Sequence, residues 1–269
     1  MALLVVMLLV GGFGARAWYE AKEDPIVRRA SLAVPGMPAG SGPVTIALLS
    51  DIHVAEPDMP PARLSRIVGQ VNALKPDVIV IAGDLVSEHG TFVHPYPVDL
   101  SIAPLAGLRA PLGVVAVLGN HDGARGRLAV RRQLARRGIK VIADAALRAG
   151  PLALGGLADG FHPVRHLERT LAAMKGVGGA RVVISHRPDA FGSLPGNTGL
   201  MLAGHTHCGQ IRLLGWAPVT NSRFGQRYAC GLVRERGNVL IVTAGLGTSL
   251  LPFRLDAPPD IWLITVRPR

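Results

Sequence analysis

The chain has 269 residues, of which 49% are hydrophobic and 17% charged. This amount of apolar material excludes a disordered chain and suffices for one large domain or two small ones. The 29 basic residues outnumber the 18 acidic ones, which favours a phosphate-bearing ligand, nucleic acid or an anionic membrane as partner. The two cysteines are too few for a four-thiolate zinc site, so any metal must be held mainly by histidine and carboxylate.

The first predicted element is an apolar segment at residues 2–10, ALLVVMLLV, which extends without a charge to Ala15. Arg16 ends it, and Trp18 and Tyr19 form an aromatic pair suited to a membrane interface. The segment is shorter than the roughly 20 residues of an ordinary spanning helix. We expect residues 1–18 to be a membrane anchor, with an uncleaved or cleaved signal peptide and a buried core helix as the alternatives.

The basic residues Arg16, Lys22, Arg28 and Arg29 follow this segment, and only the terminal amine precedes it. The positive-inside rule then favours the cytoplasmic side of a bacterial inner membrane for the rest of the chain. The opposite orientation stays open.

Residues 19–43 are predicted to be a linker, since residues 31–43 are rich in Gly, Pro and Ser. An irregular edge segment is the alternative for residues 31–43. From residue 44 to 269 short β-branched segments alternate with helical patterns, which predicts one α/β domain. The late strands have no long helices between them, so the sheets should be mixed. The predicted strands are 44–49, 78–81, 114–118, 140–142, 182–184, 200–203, 239–243 and 261–266, and the predicted helices are 63–74, 128–137 and 167–175.

Five of the apolar strands end in residues that commonly ligate metals. Because ligands of open α/β sheets gather at the carboxyl ends of strands, we expect these residues to converge on one site. Aspartate and asparagine also favour turns, which is a sufficient explanation for any one of them but not for all five blocks. The candidate ligands are Asp51, His53, Asp84, Asn120, His186, His205 and His207.

Seven nitrogen and oxygen ligands exceed what one zinc ion requires. They suit a binuclear centre that clamps phosphate, with two divalent ions roughly 3.5–4 Å apart. The Asp84 carboxylate offers two oxygens and is suited to bridge them. Histidine, aspartate and asparagine accept Mn, Fe, Zn or Co, so the residues do not select one metal.

The ordered blocks Asp51-x-His53, Gly83-Asp84, 119–122 (GNHD), Ser185-His186 and 204–207 (GHTH) resemble the calcineurin-like metallophosphoesterases. The apolar N-terminus, Gln210 and the tail block 245–261 are similar to the membrane-associated YkuE/YaeI-like bacterial branch. The resemblance implies a four-layer α/β/β/α sandwich of two mixed sheets, with the binuclear site at the strand carboxyl ends.

The same resemblance implies roles for individual residues. The two ligand sets would share Asp84: Asp51, His53, Asp84 and His207 for one ion, and Asp84, Asn120, His186 and His205 for the other. A hydroxide shared by the ions would attack phosphorus. His121 would face the substrate as a catalytic residue. Apart from the resemblance, Arg254 of the tail block is expected to contact substrate phosphate, because arginine binds phosphate bidentately, or to form a surface ion pair.

These inferences predict a metal-dependent phosphoesterase, most simply a phosphodiesterase, tethered to the membrane. One alternative is a pyrophosphatase acting on a nucleotide-linked lipid such as UDP-2,3-diacylglucosamine, and a weaker one is a non-catalytic metal-bound scaffold. The basic segment Arg125–Lys140 is interpreted as the solvated face of a helix whose Leu128, Val130 and Leu134 pack inward, with contact to lipid head groups or a polyanion as the alternative. Nucleic acid is not expected as a partner. Cys208 and Cys230 are expected to be free thiols.

Overall fold

The computed structural model describes residues 1–268, which form two six-stranded sheets packed face to face with helices on the outside. The helices are α1 (Ala2–Glu20), α2 (Pro61–Ala73), α3 (Val98–Ile102), α4 (Asn120–Ala124), α5 (Arg127–Ala135) and α6 (Pro163–Lys175). The strands are β1 (Ile26–Ala33), β2 (Val44–Leu49), β3 (Ala55–Glu56), β4 (Val78–Ala82), β5 (His94–Pro95), β6 (Val114–Val117), β7 (Lys140–Val141), β8 (Ala145–Ala149), β9 (Leu152–Gly156), β10 (Ala180–Ile184), β11 (Leu200–Ala203), β12 (Gly231–Glu235), β13 (Asn238–Val242) and β14 (Asp260–Arg267).

Both large sheets are mixed, as the sequence predicts. The first has the order β1-β14-β2-β4-β6-β7, in which only the β14–β2 pair is antiparallel. The second has the order β12-β13-β11-β10-β9-β8, with antiparallel pairs at its two edges. Strands β2, β4 and β6 of the first sheet are therefore parallel to one another, and so are β9, β10, β11 and β13 of the second. The carboxyl ends within each of these sets lie at one edge.

Alternation along the strands produces the four layers. Ile46 and Leu48 of β2 pack between the sheets together with Ile184 of β10, whereas Leu49 faces outward onto Leu64 of α2. The outward residues of the second sheet pack on α6 in the same way. The α/β/β/α arrangement predicted from the family resemblance is confirmed, because strands buried on both faces need a helical layer on each outer side.

The segment predicted as a linker contains a strand. Residues 26–33 form β1, an edge strand that runs parallel to β14, with Ile26 opposite Asp260. Its Arg28 donates to the Asp260 carboxylate at 2.7 Å and its Leu32 is buried. Adjacent arginines interrupt the apolar alternation of this segment, which is why the sequence pattern does not reveal the strand. The folded domain thus begins before residue 44.

Among the side chains that the structure describes, helix α1 contacts the domain through Arg16, its last turn and the residue that follows. Ala17, Glu20 and Ala21 are buried there, and the Glu20 carboxylate accepts from the backbone N–H of Ala257 at 2.7 Å. The apolar side chains that precede them are exposed: Leu4, Val5, Met7, Leu8, Val10 and Phe13. Among the residues described, none of the helices combines the length and hydropathy needed to cross a membrane.

Helix α5 carries most of the basic segment. Val130 and Leu134 are buried as expected, but Leu128 is 68% exposed and does not pack inward. The two buried side chains form a narrow apolar stripe along the helix, and the arginines lie on its solvent-exposed surface.

Candidate metal centre

The topology brings the seven candidate ligands to one edge of the sandwich. Strands β2, β4 and β6 of the first sheet and β10 and β11 of the second all end there, and each is followed by one of the predicted ligand blocks. Asp51, His53, Asp84, His186 and His207 are buried, while Asn120 and His205 are half-buried. The site is therefore open on the side of Asn120 and His205.

One group of ligand atoms joins Asp51, His53 and His207. The Nε2 atoms of the two histidines lie 3.2 Å apart. Oδ1 of Asp51 lies 3.5 Å from the His207 nitrogen and 4.0 Å from that of His53. Three ligand atoms at these separations can bind a single cation together.

A second group joins Asp84, His186 and His205. Nε2 of His186 is 3.0 Å from Oδ2 of Asp84 and 3.1 Å from Nδ1 of His205. The Asn120 amide oxygen lies 3.1 Å from the same His186 nitrogen. These four residues are the set that the family resemblance assigns to the second ion.

Asp84 lies between the two groups. Its Oδ2 atom is 3.7 Å from Nε2 of His53 in the first group and 3.0 Å from Nε2 of His186 in the second. Its other oxygen, Oδ1, accepts the backbone N–H of His121 at 2.9 Å, which fixes the orientation of the carboxylate. One oxygen of Asp84 is thus within reach of both groups.

The backbone at these positions is unusual. Five of the candidate ligands have positive φ: Asp51, His53, Asp84, His205 and His207, between +47° and +69°. Non-glycine residues rarely adopt this conformation, and each instance costs on the order of 1–3 kcal/mol unless the surroundings enforce it. Gly119 is required for a different reason, because a Cβ there would collide with the Asp84 carboxylate.

Burial keeps most of the imidazoles neutral. It lowers the pKa of His53 to about 3 and that of His205 to about 2, and it also lowers the pKa of His207. Neutral imidazoles are the form that binds metals. Burial alone would do the same to His186, but the carboxylates around it, Asp84 foremost, together outweigh burial and raise the pKa of His186 to about 10.

The hydrogen bonds also orient His186 as a ligand. Its Nδ1 atom donates to the carbonyl of Ala82 at 2.9 Å, which leaves Nε2 directed at Asp84. Metal-bound histidines usually donate their second nitrogen to such an acceptor.

Nδ1 of His53 is buried without a hydrogen-bond partner among the described residues. Convergent imidazole nitrogens and carboxylate oxygens are a donor set that fits divalent cations.

His121 lies at the rim of this arrangement. It follows Asn120 directly, its side chain is 18% exposed, and its ring packs edge-on against His53 with centroids 4.8 Å apart. Nδ1 lies 2.9 Å from Oε1 of Glu88, although the angle does not satisfy a hydrogen bond. His121 can also be grouped geometrically with His53 and Asp84, so its position alone suits either a substrate-facing group or a ligand.

Arg254 does not occupy the open side where a substrate phosphate contact was expected. Its side chain is fully buried and donates to the carbonyls of Ala257 and Ala244, each at 2.7 Å. A guanidinium nitrogen also lies 3.4 Å from Nδ1 of His207. Arg254 therefore supports the loop beneath His207. Because it is buried, it does not form a surface ion pair.

Two further residues at the site received no role from the sequence patterns. Arg187, directly after His186, lies 3.1 Å from Nε2 of His205 on the open side. Asp122 accepts from the backbone N–H groups of Leu85 at 2.9 Å and Gly119 at 2.9 Å, so it ties the two loops that carry Asp84 and Asn120. Arginines are frequent throughout the chain, so Arg187 does not stand out in the sequence. Asp122 lies in the 119–122 block, but an aspartate in a turn gives no sign of this bridging of two loops.

The expectation of two free thiols was wrong. Cys208 and Cys230 form a disulfide, with Cα atoms 4.6 Å apart. The bond joins the loop of His207 to the segment before β12, and a hydrogen bond of 2.7 Å from Thr206 Oγ1 to the Ala229 carbonyl joins the same two segments. Sequence separation gives no distance, so the pairing was not visible without the fold.

Residues 44–209 match the sequence profile of the family described as calcineurin-like phosphoesterase. The match contains all seven candidate ligands and His121. Because it covers more than half of the chain, the chain belongs to this family and is a phosphoric ester hydrolase.

Several proteins named as metallophosphoesterases are similar to the chain. YkuE of Bacillus subtilis is 29% identical over 86% of this chain and 82% of its own. A Caenorhabditis elegans protein is 31% identical over 78% of this chain, which spans about half (46%) of that protein. A Danio rerio transmembrane protein with a metallophosphoesterase domain is 27% identical over 92% of this chain and 59% of its own. Among solved structures, a 5'-nucleotidase precursor of Thermus thermophilus gives a TM-score of 0.44 at 15% identity, over 83% of this chain and 55% of that one.

Proposed function

We propose that this member of the calcineurin-like phosphoesterase family is a phosphodiesterase that uses two divalent ions held by the seven candidate ligands. The observation that carries the proposal is the position of Asp84, whose Oδ2 atom lies within 3.7 Å of one histidine group and 3.0 Å of the other. A single oxygen so placed suits two adjacent ions better than two independent sites.

When bound, the divalent ions activate water and neutralise charge on the phosphate oxygens. The protein groups set the geometry for this chemistry. Asp51 is held by the backbone N–H of His205, and Asp84 by that of His121, so both carboxylates keep one orientation. In this proposal His121, at the rim, donates a proton to the departing alkoxide. The other ligands are buried, so bulk water reaches the site only from the side of Asn120 and His205.

The test is hydrolysis by protein reconstituted with Mn²⁺, Zn²⁺ or Fe²⁺, combined with metal analysis. We expect two ions per chain and cleavage of bis-p-nitrophenyl phosphate at a higher kcat/KM than p-nitrophenyl phosphate. Two bound ions with no hydrolysis of any ester would contradict the proposal and favour the scaffold alternative. One bound ion with full activity would contradict the binuclear part alone.

A second candidate, hydrolysis of a lipid-linked pyrophosphate, is favoured by an apolar cleft beside the site. The cleft has a volume of about 270 Å³ and is lined by His207 together with Ile211, Val219, Leu250 and Leu251. Val219 and Leu250 are exposed. Exposed apolar side chains grouped at a polar site commonly mark a surface that binds apolar material. Turnover of a nucleotide-linked diacyl lipid at a higher kcat/KM than bis-p-nitrophenyl phosphate would select this candidate.

We further propose that α1 tethers the domain to a membrane, on its oxidising side. The exposed apolar side chains of α1 support the tether, as does the name of the Danio rerio relative. The charge count favours the cytoplasm, but Arg16 is paired with Asp256 at 3.0 Å and Arg28 with Asp260 at 2.7 Å, so these charges are part of the folded domain. The disulfide favours an oxidising compartment, since reducing compartments keep thiols free.

Protease added to spheroplasts of a bacterial host that expresses the full chain tests the orientation. We expect degradation of the domain while a cytosolic marker stays intact. Protection of the domain in intact spheroplasts, with degradation after lysis, would place it in the cytoplasm.

A further inference from the structure

A cavity of about 640 Å³ opens beside the candidate metal centre, with Asn120 in its wall. The cavity is separate from the apolar cleft, although both reach Asn221. Three arginines line it: Arg127, Arg187 and Arg223. The metal centre itself does not require three guanidinium groups at this position, so they need a separate explanation.

Arg187 joins the cavity to the metal centre. Its Nη1 atom lies 3.1 Å from Nε2 of His205, and its Nη2 atom lies 3.3 Å from the amide oxygen of Asn120. Its Nε atom donates to Asp159 at 2.9 Å, which holds the guanidinium plane on one side. An arginine fixed in this way presents its remaining N–H groups in a preset direction, the arrangement suited to phosphate oxygens.

The three arginines of the lining outnumber its two carboxylates, Asp159 and Asp189, which leaves a net positive charge. Arg127 and Arg223 are exposed, and within residues 1–268 neither side chain forms an ion pair. The two carboxylates of the lining have other partners. Asp159 pairs with Arg187, and Asp189 accepts from Ser222 Oγ at 3.0 Å and from the backbone N–H of Arg223 at 2.8 Å. The cavity therefore has a net positive wall facing solvent.

We propose that this cavity, with Arg127, Arg187 and Arg223, is a subsite for a second phosphate of the substrate. The proposal rests on the proposed function, in which the scissile phosphoryl group lies at the metal centre. The substrate class is then a phosphate ester or anhydride that carries a further phosphate on the same molecule. A cavity of this volume accommodates a phosphate and a short connecting group, and Arg187 lies at the boundary between the two anions.

Binding of two matched probes to metal-loaded protein tests the subsite. Propane-1,3-diyl bisphosphate carries two phosphates and propyl phosphate carries one, with the same three-carbon chain. We expect the bisphosphate to bind with a Kd about 10–100-fold lower, the factor that one or two charge-assisted hydrogen bonds supply. Arg223→Ala and Arg127→Ala should each raise the bisphosphate Kd toward that of propyl phosphate. Arg131→Ala, an exposed arginine of α5 outside the cavity, should change neither Kd.

The two probes also separate the two proposals. Equal Kd values for both probes in the unmodified protein would overturn the subsite and leave the phosphoesterase proposal intact. Failure of both probes to bind protein that holds two metal ions would count against the proposed function itself. If one arginine variant unfolds, as seen by circular dichroism, the other decides, and an unchanged bisphosphate Kd in that folded variant overturns the subsite.

Discussion

The backbone N–H of His205 donates to both carboxylate oxygens of Asp51, at distances of 3.1 and 2.9 Å. Asp51 follows a strand of the first sheet and His205 follows a strand of the second. The contact therefore fastens the two halves of the sandwich together at the edge where the ligands meet. Because the carboxylate is held by both sheets, small shifts of one sheet against the other would misplace a ligand.

The first prediction concerns Asp84. Asp84→Asn removes one charge from the residue that lies within reach of both histidine groups. We expect loss of activity by a factor of about 10³ or more and metal content below two ions per chain, since a bridging ligand affects both ions and a terminal ligand only one. Metal analysis and kcat measurement with bis-p-nitrophenyl phosphate check this.

Asp144→Asn is the matched control. Asp144 pairs with His166 at 2.8 Å, and neither residue belongs to the ligand groups of the site. That variant should keep two ions and nearly normal turnover. Two ions and near-normal turnover in Asp84→Asn itself would refute the bridging role.

The sequence predicts that the candidate ligand blocks lie close together, because each follows a strand and the parallel strands share an edge. Asp51 and Asp84, for example, follow β2 and β4, which are neighbours in register. What the sequence does not show is which arginines face the site. Arg254 and Arg187 are both arginines near ligand blocks, and the sequence does not distinguish them. In the fold, three backbone carbonyls hold Arg254 beneath the loop of His207, whereas Arg187 lies on the open side of the site.

The second prediction concerns the disulfide. Replacing Cys208 and Cys230 together by serine should lower the free energy of unfolding by about 2–4 kcal/mol, the usual contribution of such a bond. We expect the variant to fold and to keep two metal ions, because the Thr206–Ala229 hydrogen bond still joins the two loops. Urea unfolding of oxidised protein checks the stability. After treatment with a thiol reductant, the unfolding free energy of the parent protein should fall to that of the double variant. An unchanged urea midpoint after reduction would contradict the presence of the disulfide.

The third prediction concerns the N-terminal helix. A chain that starts at Arg16 keeps the ion pair with Asp256 and the hydrogen bond from Arg254 N–H to the Ala17 carbonyl, at 2.9 Å. We expect it to be active and to remain in the supernatant after ultracentrifugation, whereas the full-length chain sediments with membranes. A cut before Trp18 removes the Ala17 contact as well and should cost some stability but no metal. Misfolding of the chain that starts at Arg16 would mean that residues 1–15 belong to the core.

The last prediction distinguishes the roles open to His121. If its imidazole donates a proton to the leaving group, the benefit depends on the ester, because p-nitrophenolate needs little protonation and an alkyl alkoxide needs much. His121→Ala should therefore keep both ions and lose about 10²–10⁴ in kcat on alkyl esters, the usual range for general acid catalysis, but far less on nitrophenyl esters. Glu88→Gln, which alters the neighbour 2.9 Å from Nδ1, should produce a smaller loss with the same dependence on leaving group. Equal losses on both esters would indicate stabilisation of transition-state charge instead. Loss of a metal ion in His121→Ala would assign His121 to the ligands, with His53 and Asp84 as its partners.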